Sequence, residues 1–247
     1  MIVWLASFPR SGNTLLRIIL NSGFGISTST IYSGPHQRVN QVYAQMNQLI
    51  GDVDTTGTLD ELDADTKVHF LKTHELSTAG DHRRAVYVVR DGRDALVSYA
   101  HFVRTFESDR YSASSFDENL EMLIRSRDQF GGWSRHVAAW SSRAAPTSVV
   151  RYEDLLVAPV DTVLASFLRL GVTLPNVSGS MPDFQALKAQ IPGFFRRGRA
   201  GAWKTEMPAA LQEVFWSIHG EAMDRFGYTP DGHFELPGSP LANEKAR

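Results

Sequence analysis

Residues 1–17, MIVWLASFPRSGNTLLR, constrain the fold more than any other stretch of this chain. A short apolar run from Ile2 to Leu5 enters Phe8-Pro9-Arg10-Ser11-Gly12-Asn13-Thr14. The spacing of Leu15, Leu16, Ile18, Ile19 and Leu20 then predicts an amphipathic helix that Gly23 or Gly25 can end. A loop between a buried strand and a helix N-terminus turns backbone N–H groups and the positive end of the helix dipole toward one spot, which suits an anion. Gly12 lets the backbone approach closely, Ser11 and Thr14 supply hydroxyls, and Arg10 supplies a fixed positive charge. The loop reads as a phosphate cradle without the Gly-x-x-x-x-Gly-Lys-Ser/Thr spacing of an ATP or GTP site.

The rest of the chain repeats the strand-then-helix theme. Residues 68–71 read as a short buried strand ending at Lys72-Thr73-His74, and residues 85–89, AVYVV, as the clearest strand, ending at Arg90. Asp91-Gly92-Arg93-Asp94 is a turn, with a helix from there to about Phe106. Trp133, Val137 and Trp140 stand at i, i+4 and i+7 and mark one helix face, read as core or pocket wall. Residues 148–151 are another strand, followed by Tyr152-Glu153-Asp154; helices are expected at about 161–170 and 209–226. Residues 26–66 are polar, with a helix near 39–50, and read as a substrate-facing insertion or lid.

Strands alternating with helices predict an α/β chain: one P-loop-like domain with a central, mainly parallel sheet and helices on both faces. Residues 1–235 form that domain, and residues 236–247 a flexible tail. In such sheets ligands bind beyond the carboxyl ends of the strands. The first loop, Lys72 to His74, Arg90 and Tyr152 all follow a strand, so one composite site is expected there. Length and composition fit this: 247 residues with 43% hydrophobic content support one sizeable core.

A net charge of −2 and a sequence pI near 6.4 argue against a nucleic-acid partner read through a basic face. The absence of cysteine removes disulfides and thiolate metal sites, and no metal-ligand spacing is visible. The N-terminal run lacks a basic flank and a small-residue cleavage site, and no stretch approaches the ~20 apolar residues of a membrane helix. A cytoplasmic protein without a membrane partner is expected.

Lys72 and His74 place a cation beside a titratable imidazole at a strand end, which suits activation of a hydroxyl; Glu75 is the rival base. Residues 194–204 hold three arginines, two glycines and a lysine, a composition that lets backbone amides join guanidinium groups around an anion.

Taken in order, these segments resemble the sulfotransferases that use 3′-phosphoadenosine 5′-phosphosulfate (PAPS). Residues 8–14 are similar to that family's 5′-phosphosulfate loop, and residues 89–94 through 98–102 to its 3′-phosphate motif. Residues 196–204, RRGRAGAWK, resemble its late Arg-Lys-Gly loop. Lys72-Thr73-His74 looks like the element carrying the family's catalytic His, and Tyr152-Glu153-Asp154 like its adenine-side segment. The resemblance runs from residue 4 to about 228. Three departures stand out: Arg10 replaces the usual Lys, Leu15 stands where many members have Trp, and Ala202 replaces Asp.

The resemblance implies sulfuryl transfer from PAPS, leaving 3′-phosphoadenosine 5′-phosphate (PAP), to a hydroxyl of a small-molecule acceptor, without a metal. His74 is then the base, with Lys72 and Arg10 stabilising the transferred group. Arg10, Ser11, Gly12, Asn13 and Thr14 hold the 5′-phosphate side. Arg90, Ser98, Arg196, Arg197 and Gly198 hold the 3′-phosphate, and Tyr152 and Phe184 pack the adenine in place of the missing Trp. The alternatives are a P-loop nucleotide-dependent kinase and a non-catalytic nucleotide-binding protein. Acceptor identity and oligomeric state are not written in the sequence.

Overall fold

A computed structural model describes residues 1–32, 41–106, 114–177, 179–180, 182, 184–190 and 200–232. The chain folds as two compact units, one from residues 1–90 with 139–199, the other from residues 91–138 with 200–247.

The first unit contains the sheet. Among the described residues it has five strands: β1 (Ile2–Ser7), β2 (Ser29–Thr30), β3 (His69–Thr73), β4 (Arg84–Val89) and β5 (Thr147–Arg151). They lie in the order β2-β3-β1-β4-β5, and every pairing is parallel. Strand β1 is central, with Val3 opposite Phe70 on one side and Arg84 on the other. All six of its residues are buried, as a parallel strand covered on both faces requires.

Side-chain alternation divides the sheet's two faces. Val3, Leu5, Phe70, Val86, Val88 and Val150 pack against helix α1 (Asn13–Phe24) and a later helix, here α8 (Pro159–Arg169), through Leu16, Ile19, Leu20, Val163 and Phe167. On the opposite face Tyr87 stacks on Trp140, with centroids 6.0 Å apart and planes 9° apart. Each large apolar side chain buried in this way contributes ~1.5–3 kcal/mol.

Between α1 and β3 lie α2 (Gln41–Leu49) and α3 (Leu59–Ala64). The latter is nucleated by a capping box in which Thr58 and Glu61 satisfy each other's backbone N–H. Part of the stretch read as an insertion therefore belongs to the framework. Residues 29–30 are an edge strand, and Arg17 on α1 donates to Thr28 Oγ1 at 2.7 Å and pairs with Asp52.

The second unit contains α4 (Gly92–Phe106), α5 (Phe116–Ile124), the first turns of α6 (Trp133–Ser141), α10 (Trp203–Glu206) and α11 (Ala209–Asp224). Helices α7 (Tyr152–Val157) and α9 (Phe184–Gln190) complete the first unit's described elements. At the start of α4 the buried Arg93 forms a fork with Asp91, donates to the carbonyls of Thr229 and Pro230, and stacks on Trp203 at 3.7 Å. Gly92 is obligatory there, because a Cβ would stand 2.8 Å from both Phe215 and Trp133.

Sequence and structure differ at the edges of elements. Lys72 and Thr73 are the last residues of β3 instead of following it, and Tyr152, expected just after a strand, opens the short helix α7. Gly25, in the left-handed conformation, ends α1, while Gly23 lies inside the helix. Strand β2 and helix α3 carry too few periodic apolar residues to announce themselves, whereas α5, with Phe116, Leu120, Leu123 and Ile124 at helical spacing behind a Ser115–Glu118 capping box, had a signal that the sequence reading passed over.

Candidate active site

The loop from β1 into α1 has the backbone that its sequence anticipates. Ser11 N–H donates to Phe8 O at 3.2 Å, Arg10 sits at φ 63°, and Gly12 sits at φ 112° as the N-cap of α1. A left-handed arginine is strained by an order of ~1 kcal/mol and persists only where its surroundings over-determine it. No side chain caps the helix, and its first turn holds no acidic residue, so its leading N–H groups and dipole face an anion unopposed.

Ser11 is buried, and its Oγ makes no hydrogen bond among the described residues. A buried hydroxyl in that condition fits a loop built to close around oxygen atoms of a ligand. Asn13 uses its side chain to hold the loop itself. Its side-chain amide turns inward and donates to Leu5 O at 2.7 Å, so what it offers an anion is its backbone N–H. Thr14 lies half-buried in the first turn of α1.

Arg90, at the end of β4, reaches this loop. Its Nη1 donates to Arg10 O at 3.1 Å, and its guanidinium lies 4.4 Å from the centroid of the Tyr152 ring. The structure thus brings Arg10, Ser11, Gly12, Arg90 and Tyr152 together from three separate strand ends.

A second cluster forms at the end of β3. His74 Nδ1 lies 2.7 Å from the carbonyl oxygen of Ser7. That contact makes Nδ1 the donor and leaves the lone pair of the neutral ring on Nε2. Lys72 is half-buried, and burial pushes its ammonium down to about 7, with the cations of Arg17 and Arg10 adding to the effect and Asp52 opposing it. A lysine so placed gains its proton most readily when negative charge arrives beside it.

Two parts of this cluster escaped the sequence reading. Ser7 acts through its backbone, which no side chain advertises. Tyr32 accepts the His74 backbone N–H and stacks on its ring, and it is the only Phe, Tyr or Trp between Phe24 and Tyr43, the one signal that could have marked it.

The remaining expected site residues stand as follows. Ser98 is half-buried on α4 in the second unit. Phe184 opens α9, its side chain lying outside the described residues, as do Arg196, Arg197, Gly198 and the tail at 236–247. Among the described residues no group of His, Cys, Asp and Glu is arranged to hold a metal ion, and no helix is long and apolar enough to cross a membrane.

The sulfotransferase domain family model matches residues 2–227. Sulfotransferase 1A1 of the dog, Canis lupus familiaris, is 26% identical over 166 residues, covering 58% of this chain and 56% of that protein. Cytosolic sulfotransferase 1 of the zebrafish, Danio rerio, is 27% identical over 256 residues, covering 90% of this chain and 82% of its own. Among solved structures, mouse sulfotransferase SULT7A1 complexed with PAP superposes with a TM-score of 0.62 at 18% identity, covering 90% of this chain and 84% of that one. The last comparison establishes a shared fold. The chain belongs to the sulfotransferase domain family.

Proposed function

We propose that this protein is a PAPS-dependent sulfotransferase acting on a hydroxyl of a small-molecule acceptor. The observation that carries the reading is the pairing of an uncapped, anion-ready helix start at Gly12 with a histidine whose Nδ1 faces Ser7 O. PAPS, when bound, supplies the sulfuryl group. The residues present fit such a donor: the buried Ser11 hydroxyl, the α1 N–H groups and Arg10 offer a cradle for its 5′ side. The assignment of Arg90, Ser98, Arg196, Arg197 and Gly198 to the 3′-phosphate, and of Tyr152 and Phe184 to the adenine, rests on the order of the sequence motifs.

His74 accepts the acceptor's hydroxyl proton at Nε2, the nitrogen left basic by the contact to Ser7 O. Lys72 and Arg10 hold positive charge where negative charge grows on the departing oxygen. The protein's contribution is then positioning and charge stabilisation, with displacement in line. The chain needs no metal for these roles. A cytoplasmic setting fits the cytosolic zebrafish relative.

The test is a thermal-shift series with PAP against ATP plus magnesium, followed by mass spectrometry of an acceptor panel incubated with labelled PAPS. Stabilisation by PAP and a sulfated hydroxyl product support the proposal. Stabilisation by ATP alone turns the reading to a nucleotide-dependent kinase, and PAP binding without any product turns it to a binding protein.

A further inference from the structure

Every residue from 72 to 75 touches one side chain that the motifs do not include. The ring of Tyr32 lies beneath the Lys72 ammonium, with Nζ 5.0 Å from its centroid. The same ring stacks on the His74 imidazole, with centroids 6.2 Å apart and planes 28° apart. Its hydroxyl oxygen accepts the His74 backbone N–H at 2.7 Å, and the side chains of Thr73 and Glu75 lie close enough to act on the phenol. The hydroxyl oxygen thus acts as an acceptor toward the strand's exit at His74.

We propose that Tyr32 is a positioning residue of the transfer site, holding Lys72 charged under its ring and His74 in register through its ring and its hydroxyl. This rests on the sulfotransferase reading for its purpose, but its geometry stands without it. An aromatic face favours the charged form of an amine above it. At Lys72 that effect opposes burial and the cations of Arg17 on α1 and Arg10 in the first loop, and it adds to the anion Asp52 beside α2. Glu75 faces the phenol from the strand's own exit. Burial raises the Tyr32 phenol above its ordinary range, so it stays neutral while Lys72 titrates. Tyr32 thereby favours one of the two candidate bases: it fixes His74, whose ring is also oriented through Ser7.

The test compares the wild type with Tyr32→Phe and Tyr32→Leu. Lys72 is titrated by NMR of 13C-methylated lysines, its signal assigned with Lys72→Arg. The removal of the ring in Tyr32→Leu lowers the Lys72 midpoint by about half a pH unit or more, while Tyr32→Phe stays within about 0.2 of the wild type. Sulfuryl transfer from PAPS to p-nitrophenol then falls about tenfold or more in kcat for Tyr32→Phe, with the PAP dissociation constant within about twofold. Equal Lys72 midpoints in the wild type and Tyr32→Leu overturn the proposal. So does a Tyr32→Phe variant with unchanged kcat, or one whose loss lies wholly in PAP affinity. If Tyr32→Leu does not fold, the kinetics of Tyr32→Phe decide. Failure of the wild type to bind PAP refutes the donor reading instead, and the Lys72 titration still judges Tyr32.

Discussion

Tyr152 occupies the space that a side chain on Gly12 would need: a Cβ there would stand 2.6 Å from Tyr152 Cδ2. The ring that closes on Gly12 also carries the Arg90 guanidinium, 4.4 Å from its centroid. Strand ends β1, β4 and β5 are thereby locked to one another at the anion loop. Gly12→Ala must both adopt φ 112° and displace that ring. It is expected to lose ~1–3 kcal/mol of stability and more than about tenfold in PAP affinity. Chemical denaturation and calorimetric titration measure the two, and an unchanged PAP affinity would mean that the loop does not hold the donor.

Removing the imidazole tests the base directly. His74→Ala should lower turnover by roughly 10²-fold or more while PAP affinity is retained. Glu75→Gln, measured in parallel, should cost much less. The opposite ranking would assign proton removal to Glu75.

On the proposed role of Lys72, donor binding is expected to be linked to a proton. With its midpoint at about 7 in the free protein, an arriving anion raises it, so binding above neutral pH takes up a proton. Affinity for PAPS should therefore fall as pH rises from about 7, and Lys72→Met should flatten that slope. Calorimetry in buffers of different ionisation enthalpy reads the uptake. The same group contributes to stability with the reverse slope: its midpoint lies below the unfolded value, so stability of the free protein gains from Lys72 as pH rises from about 7 to about 10.5.

His219 predicts acid sensitivity in the second unit. Burial pushes its imidazole down to about 4, although its contact with the Ile124 carbonyl opposes the shift. Nε2 lies 2.8 Å from that carbonyl, and Ser134 Oγ lies 2.6 Å from Nδ1. The neutral ring's contribution is complete above about 6.5 and is lost as pH falls from there through about 4. Urea denaturation across that window should show a shallower decline in His219→Gln, and parallel curves would count against this origin.

Asp94 secures the start of α10. Its carboxylate accepts the N–H groups of Gly201 at 2.6 Å and Trp203 at 3.0 Å. Asp94→Ala strands both donors and is expected to cost ~1–3 kcal/mol, with Asp94→Asn intermediate because the amide oxygen can still accept. Thermal denaturation decides; equal melting of Asp94→Ala and wild type would show water replacing the carboxylate.

The sheet was legible because β1, β4 and β5 are apolar runs ending at polar loops, a pattern set by burial on both faces. The turn from β1 into α1 was legible because a glycine among hydroxyl residues, set between an apolar run and a helical pattern, marks a strand–loop–helix junction. Strand β2, two residues long in a Ser/Thr-rich stretch, is held by its neighbour and leaves no periodic trace. The roles of Ser7 O and Tyr32 arise from tertiary contact with His74, 67 and 42 positions away, which local pattern does not encode. The part that the Asn13 side chain plays, fastening α1 to Leu5, is likewise a contact that local pattern does not encode.

The central place of β1 has a consequence for how the molecule comes into being. Of the described strands, β1 is made before both of its neighbours and stays unpaired until residues 69–73 and then 84–89 are made. Pairing across such separations is slow, and an unpaired apolar strand is open to wrong partners meanwhile. Arg10, at the tip of that strand, acquires Arg90 only when the last of these segments has docked. Capture of the donor nucleotide is thus a readout of completed assembly, and adding PAP during refolding should raise the yield of native protein more than it changes the rate at which helices first form.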